Sequence, residues 1–287
     1  MLQVARLSPK QLGDSAQLVA RFLHSQLNDD GGFRNRSGES DLYYTVFGLE
    51  GFIALGIEPP SSRVAEYLRG FGAGDGLDLV HLGCLIRCWA NICRSGPPIP
   101  ATGLLDCIES HRGGSGGYNT MPGEETGTAY GCFLAMAAYQ DLRREMPDPD
   151  VVIRCLRALR TDDGGYANQR ELPVGLTPST AAAATLFRHL GEEPPDGLSA
   201  WLLARCRKDG GFYATPAAPV PDLLSTATAL HALSGMKAPI EPVKEGCLDF
   251  LDSLWTATGG FYGSWADDAL DCEYTYYGLL ALGHLSL

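Results

Sequence analysis

The apolar positions of this chain fall into two kinds of block. In one kind, such as AAAATLF at 181–187 and YYGLLAL at 276–282, almost every position is apolar, the pattern of a helix buried on all sides. In the other, such as Asp148 to Arg160 and Pro242 to Trp255, apolar residues keep to one face and a proline stands near the start. That spacing predicts amphipathic helices that lay one stripe on a core. Between them recurs a short signal: Asp30-Gly31-Gly32-Phe33, Gly116-Gly117-Tyr118, Asp163-Gly164-Gly165-Tyr166, Asp209-Gly210-Gly211-Phe212 and Gly259-Gly260-Phe261. Paired glycines permit a tight turn or a close backbone approach, and the aromatic behind them covers the layer beneath.

Successive aromatics of this signal lie 85, 48, 46 and 49 residues apart. The first gap is nearly two periods, so a degenerate copy is expected at Phe71 to Gly76. A polar loop follows each turn and ends in a start signal at Asp41, Asp78, Glu125, Thr177, Asp222 or Asp271. Asp and Thr cap helices well, and Pro178 suits a first helical turn, so these residues are predicted to open six inner helices. Three residues further on stand Tyr44, His81, Thr128, Thr180, Ser225 and Tyr274, which are expected to face the space the helices enclose. Hairpins repeating one topology make an all-α, α6/α6 toroid, read as a single domain over 1–287. The proline-rich stretches at 96–100, 192–196 and 215–221 are expected to be loops between units.

Composition narrows the function classes. A net charge of -12 and a pI near 4.9 disfavour a nucleic-acid partner, whose backbone is gripped by clustered Lys and Arg. No apolar run approaches the roughly 20 residues of a membrane span, and the opening MLQVARLSPKQLGDS lacks the hydrophobic stretch of a signal peptide, so a cytoplasmic location is expected. The nine cysteines are odd in number and form no Cys-x-x-Cys pair, as for buried thiols in a reducing compartment.

The last unit, Gly259-Gly260-Phe261-Tyr262-Gly263-Ser264 followed by Asp271-Cys-Glu-Tyr274-Thr275, resembles the GGFxG and D-x-x-H-T pattern of protein prenyltransferase β subunits. The fifth, Pro221-Asp222-Leu-Leu-Ser-Thr-Ala, is similar to their zinc segment and to the P-D-x-D-D-T-A segment of squalene and class II terpene cyclases. The resemblance implies a toroid that holds a prenyl diphosphate or other polyisoprenoid and transfers or cyclises it, with a helical partner subunit as one arrangement. It also places a zinc Asp at Asp222, a zinc Cys at 224 and a zinc His at 274, where this chain has Leu224 and Tyr274. Zinc needs about three protein donors, so no metal ligands are assigned and a zinc-dependent prenyltransferase is not expected. Only the first acid of the cyclase motif survives, and a cyclase would need its proton donor elsewhere.

If every inner helix starts at the same end of the ring, the helix N-termini converge on one mouth that attracts anions. Asp41, Asp78, Glu125, Asp222 and Asp271 then either cap their helices or hold Mg²⁺ for a diphosphate. His81, Asp222, Asp271 and Tyr274 are the catalytic candidates, His81 because its ordinary pKa suits acid–base work. Asp41, Tyr44, Asp78, Glu125, Thr128, Thr177, Thr180 and Ser225 are candidate substrate contacts, together with Arg34 and Arg36, which follow the first Gly-Gly-Phe and suit a phosphate. Tyrosines and phenylalanines near the mouth suit an isoprenoid chain and its cations. Two function classes follow, an isoprenoid-handling enzyme and a non-catalytic lipid-binding or interaction module. A hollow interior favours the first, and an interior filled by side chains the second.

Overall fold

The computed structural model describes residues 1–93, 98 and 100–287, so most of the proline-rich stretch at 96–100 lies outside the described residues. Two short helices, α1 (Leu2–Ala5) and α2 (Pro9–Leu12), precede six hairpins. Their outer helices are α3 (Ala16–Ser25), α5 (Ser61–Arg69), α7 (Ala101–Glu109), α9 (Pro149–Arg157), α11 (Leu198–Leu203) and α13 (Glu241–Leu254). The inner helices are α4 (Leu42–Ala54), α6 (Leu79–Ile92), α8 (Ala129–Asp141), α10 (Thr177–His189), α12 (Leu223–Gly235) and α14 (Cys272–Leu285). One small antiparallel pair, β1 (Phe33–Arg34) with β2 (Ser40–Asp41), interrupts the all-helical pattern at the first turn. Each inner helix packs on the next, and α14 packs back on α4. The ring is closed, an α/α toroid.

The outer layer closes at the same seam. Gly259 of the last turn has φ +97°, and a Cβ there would stand 2.2 Å from the carbonyl oxygen of Leu18 in α3. Only glycine supplies both the conformation and the room. Behind the glycines, Phe33, Tyr118, Tyr166, Phe212 and Phe261 are wholly buried. Full burial of an aromatic side chain contributes roughly 1.5–3 kcal/mol. Their backbone N–H groups find a repeated partner one turn into the inner helix. Tyr166 N–H donates to Thr180 Oγ1 at 2.9 Å and Phe212 N–H to Thr226 Oγ1 at 2.9 Å, while Phe33 and Phe261 donate in the same way to Thr45 and Thr275. In the third unit Cys132 Sγ takes that place for Tyr118. The hydroxyls of Thr45, Thr226 and Thr275 in turn donate to the carbonyls of the capping Asp41, Asp222 and Asp271, which locks turn to helix.

Two helix starts differ from expectation. Thr128, not Glu125, caps α8, accepting from Gly131 N–H, and Glu125 is an exposed residue of the preceding loop. Thr177 is already helical, with Leu176 at the N-cap of α10. The reason is common to both. The extended residue before the helix donates its N–H to the carbonyl of the turn aromatic, Thr128 to Tyr118 and Leu176 to Tyr166, as Asp222 does to Phe212. Register is set by that bridge rather than by side-chain preference.

At the C-terminal ends of the inner helices, α1 packs across α14 and α4. A Cβ on Gly283 would stand 2.2 Å from the carbonyl oxygen of Val4, so the approach is close. Among the described residues no helix is long and apolar enough to cross a membrane. Six of the nine cysteines are buried and none is bridged.

Candidate functional site

The ring is hollow. A cavity of about 390 Å³ runs inside it from the first turns of the inner helices to Met1, within the range of about 300–1,000 Å³ typical of small-molecule pockets. Its lining follows one register. From Asp41 the second, fifth, sixth and ninth residues are Tyr43, Val46, Phe47 and Glu50, and from Thr128 they are Tyr130, Phe133, Leu134 and Ala137. The same count gives Gly83, Cys84 and Arg87 on α6, Pro178, Ala181, Ala182 and Thr185 on α10, Leu224 and Thr228 on α12, and Tyr276 and Tyr277 on α14. This is the i, i+3, i+4, i+7 stripe of a helix.

Of the residues expected to face this space from the third place after each start signal, Tyr44, His81, Ser225 and Tyr274 lie about 100° further round their helices, and Thr128 is itself an N-cap. None of the candidate catalytic or substrate-contact residues lines the cavity, whereas the tyrosines and phenylalanines expected at the mouth and wall do so through Tyr43, Phe47, Tyr130, Phe133, Tyr276 and Tyr277. Asp41, Asp78, Asp222 and Asp271 are N-caps whose carboxylates accept from Tyr43, His81, Ser225 and Tyr274 N–H groups. Ser225 Oγ donates to Asp222 at 2.7 Å, and Thr177 Oγ1 donates to the Tyr213 carbonyl at 2.6 Å. Thr180 is buried in its bond to the turn. His81 sits at the rim with Nδ1 2.9 Å from Asp78 and Nε2 3.8 Å from Asp41. Tyr44 packs edge-on against Tyr43, ring centroids 5.6 Å apart.

The two arginines part company. Arg34 Nε is buried and has no hydrogen-bond partner among the described residues. Arg36 reaches across the seam from the first unit to the last, donating to Asp271 at 2.8 Å and to both oxygens of Asp267 at 2.8 and 3.1 Å, with its guanidinium 5.4 Å from the Tyr274 ring centroid. Burial pulls Asp267 upward, but Arg36 overrides it and holds that carboxyl below its ordinary value. At Asp271 burial wins and the pKa is raised.

The sequence reading passed over the acid with the greatest chemical interest. Glu273, second after the Asp271 cap, shares the register of Tyr43 and Tyr130, and its Oε1 accepts from the Tyr43 hydroxyl at 2.6 Å. Burial raises its pKa to about 7, with the Asp271 charge adding to the effect. Tyr43 thus stands between the cavity and a carboxyl able to hold or release a proton near neutrality. Glu50, Arg87 and Asp141 were also missed. All three line the cavity at its deeper end. A charge inside helices as apolar as LYYTVFGLEGFIA and LVHLGCLIRCWANI was the available signal.

Zinc does not fit the positions that family resemblance assigns to it. Leu224 lines the cavity there, the Asp222 carboxylate is bonded to Ser225, and Tyr274 has a phenol in place of an imidazole. Among the described residues no three His, Cys, Asp or Glu side chains converge as a metal-ligating group.

Several solved structures share this ring. Candida albicans protein geranylgeranyltransferase-I, complexed with GGPP, is 16% identical over 84% of this chain and 83% of its own, with a TM-score of 0.65. A variant of the type II terpene cyclase MstE from Scytonema, in complex with geranylgeranyl dihydroxybenzoate, is 14% identical over 97% of both chains, with a TM-score of 0.64. An α-1,6-mannanase from Salegentibacter is 13% identical over 95% and 98%, with a TM-score of 0.62. At these identities the likeness is one of fold, and one fold hosts several chemistries. No curated protein matches the sequence. The family model of the prenyltransferase alpha-alpha toroid domain matches residues 3–68, 70–213 and 180–286, and the chain belongs to that family.

Proposed function

We propose that the protein is an isoprenoid-handling enzyme that holds a polyisoprenoid in the ring and transfers or cyclises it, with Glu273 and Tyr43 moving the proton. The observation that carries this reading is the hollow interior with its aromatic wall of Tyr43, Phe47, Tyr130, Phe133, Tyr276 and Tyr277. Apolar chain is drawn in by the hydrophobic effect, and π faces stabilise positive charge that develops along it. Protonated Glu273 donates to the Tyr43 oxygen as the Tyr43 hydroxyl, turned from Glu273 toward the cavity, passes its own proton to a carbon of a double bond. A C–H bond forms as the π bond breaks, and the carboxylate left behind accepts the proton that leaves when the resulting cation collapses to an alkene. The MstE complex and the GGPP complex support isoprenoids as the ligand class.

The rim is poorly suited to a bare diphosphate. Four of its helix N-termini are already occupied by aspartates, and Arg36 is shared between two carboxylates. A prenyl diphosphate would need Mg²⁺ to offset that charge. The test is incubation of the purified protein with geranylgeraniol and with geranylgeranyl diphosphate plus Mg²⁺, read by native mass spectrometry for binding and by liquid chromatography–mass spectrometry for product. Binding with turnover that Glu273→Gln abolishes is expected. No binding of either compound sinks the proposal.

A second reading rests on the vacated positions at Leu224 and Tyr274, namely a lipid carrier or interaction module that kept the ring without the chemistry. Binding without product in the same experiment selects it.

A further inference from the structure

The deep end of the cavity is not apolar. Three successive inner helices, α4, α6 and α8, place Glu50, Arg87 and Asp141 there, and all three side chains line the space. Arg87 Nη1 donates to Glu50 Oε1 at 3.0 Å and Nε donates to Asp141 Oδ2. Burial opposes the guanidinium charge, but the two carboxylates override it and keep Arg87 protonated. The same burial raises the pKa of Asp141. A network serving only to join helices is best placed between them, away from the void, because ions beside an apolar space carry a large desolvation penalty. Here Arg87 keeps 29% of its side-chain surface accessible, against 5% for Glu50, and it does so on the cavity wall. Among the described residues Nη2 has no hydrogen-bond partner in the structure. The Thr185 and Thr228 hydroxyls donate to their own helix carbonyls, so toward the cavity they offer lone pairs.

The deep end therefore presents two cationic donors, the Arg87 guanidinium and the Met1 α-amino group, beside several acceptors, so that two cations face two carboxylates. A diphosphate, a carboxylate or an ammonium would each bring a charge that no spare partner in this balanced cluster offsets, and a hydrocarbon would strip water from the ions with nothing in return. A hydroxyl fits, since it accepts one hydrogen bond and donates another. Resting on the isoprenoid reading of the cavity, we infer that this cluster anchors the oxygen of a hydroxyl-bearing isoprenoid, an isoprenoid alcohol or phenol, with its hydroxyl innermost. The hydrocarbon then lies along the aromatic wall with its far end toward Tyr43 and Glu273. The part of the ligand that reaches the proton donor is the tail, not the head.

The experiment is a binding series on the full chain with three ligands that share the farnesyl skeleton: farnesol, farnesyl methyl ether, which accepts but cannot donate, and the hydrocarbon farnesene, with farnesyl diphosphate alongside. Farnesol is expected to bind about tenfold or more tighter than farnesene, the ratio of one hydrogen bond to a charged group, with the ether between them. Equal affinities for all three overturn the inference and leave the cavity reading standing, as does a diphosphate that binds tightest. Binding of none overturns both. The combined variant Glu50→Met, Arg87→Met, Asp141→Leu removes the charges and their hydrogen-bonding groups together, so neither carboxylate nor guanidinium is left unpaired. It is expected to bind farnesol and farnesene alike while keeping the farnesene affinity, whereas a merely structural role would weaken both ligands equally. If that variant fails to fold, the ligand series on the native protein decides alone.

Discussion

The mouth and the deep end of the ring handle charge in opposite ways. At the mouth, Asp41, Asp78, Asp222 and Asp271 are satisfied by the first turns of their own helices. At the deep end, Glu50, Arg87 and Asp141 come from three different helices and are satisfied by one another. A local cap stays paired whatever the rest of the ring does. The shared network loses both its pairings when Arg87, which joins them, goes, so the two ends should respond to substitution on different scales.

The largest effect is expected at the deep end. Arg87→Met leaves two carboxylates buried without a partner and should lower stability by about 3–5 kcal/mol, measured by urea unfolding, while the combined neutral variant recovers most of it. A loss below about 1 kcal/mol, the level of a solvated surface pair, would mean that water reaches the cluster freely and would erase the contrast.

Next comes the mouth acid that is not a cap. Glu273 has its folded pKa raised from 4.5 to about 7, so the folded state holds a proton that the unfolded chain has released. Stability then falls as pH rises from the unfolded value through the folded one, and the deficit persists above it. Glu273→Gln keeps a hydrogen-bond acceptor for Tyr43 and should gain up to about 3 kcal/mol at pH 8, with no gain at pH 4. Thermal melts at the two pH values check this. Equal shifts at both would place the carboxyl in solvent.

A smaller loss, about 1–3 kcal/mol, is expected from Thr226→Val, which leaves the buried Phe212 N–H without its acceptor. Chemical denaturation reads it directly. An unchanged midpoint would show that the link between turn and helix is decorative. The smallest effect belongs to the seam. Arg36 is partly exposed, and Arg36→Met should lose only about 1 kcal/mol, less at high salt. Asp267, held low by Arg36, contributes its share above its ordinary pKa and loses it as pH falls through the folded value. The difference between native and variant should therefore shrink in acid.

How much of this was legible depended on distance along the chain. The Gly-Gly-aromatic turns and the capping aspartates are local signals a few residues long, and they were read correctly as a six-unit ring. The starts of α8 and α10 were misplaced because a backbone bridge from the preceding turn, Thr128 to Tyr118 and Leu176 to Tyr166, outranks side-chain preference. On the helices whose starts are as expected, the cavity face lies one residue from the expected one, and a single step on a helix turns a side chain by about 100°. The polar residues beside the start signals therefore do not line the cavity, and nothing local to the Asp271 motif marks out Glu273, whose partner Tyr43 lies 230 residues away.

By itself the sequence determined the repeat, the hairpin and the ring, because each unit carries its own turn, cap and apolar periods and needs only a copy of itself to pack against. Tertiary structure alone decided what the ring encloses. Arg36 meets Asp271 across 235 residues, and Arg87 meets Glu50 and Asp141 across 37 and 54. Contacts so far apart are set by closure of the whole circle, and no local pattern specifies which side chains will stand face to face once it has closed.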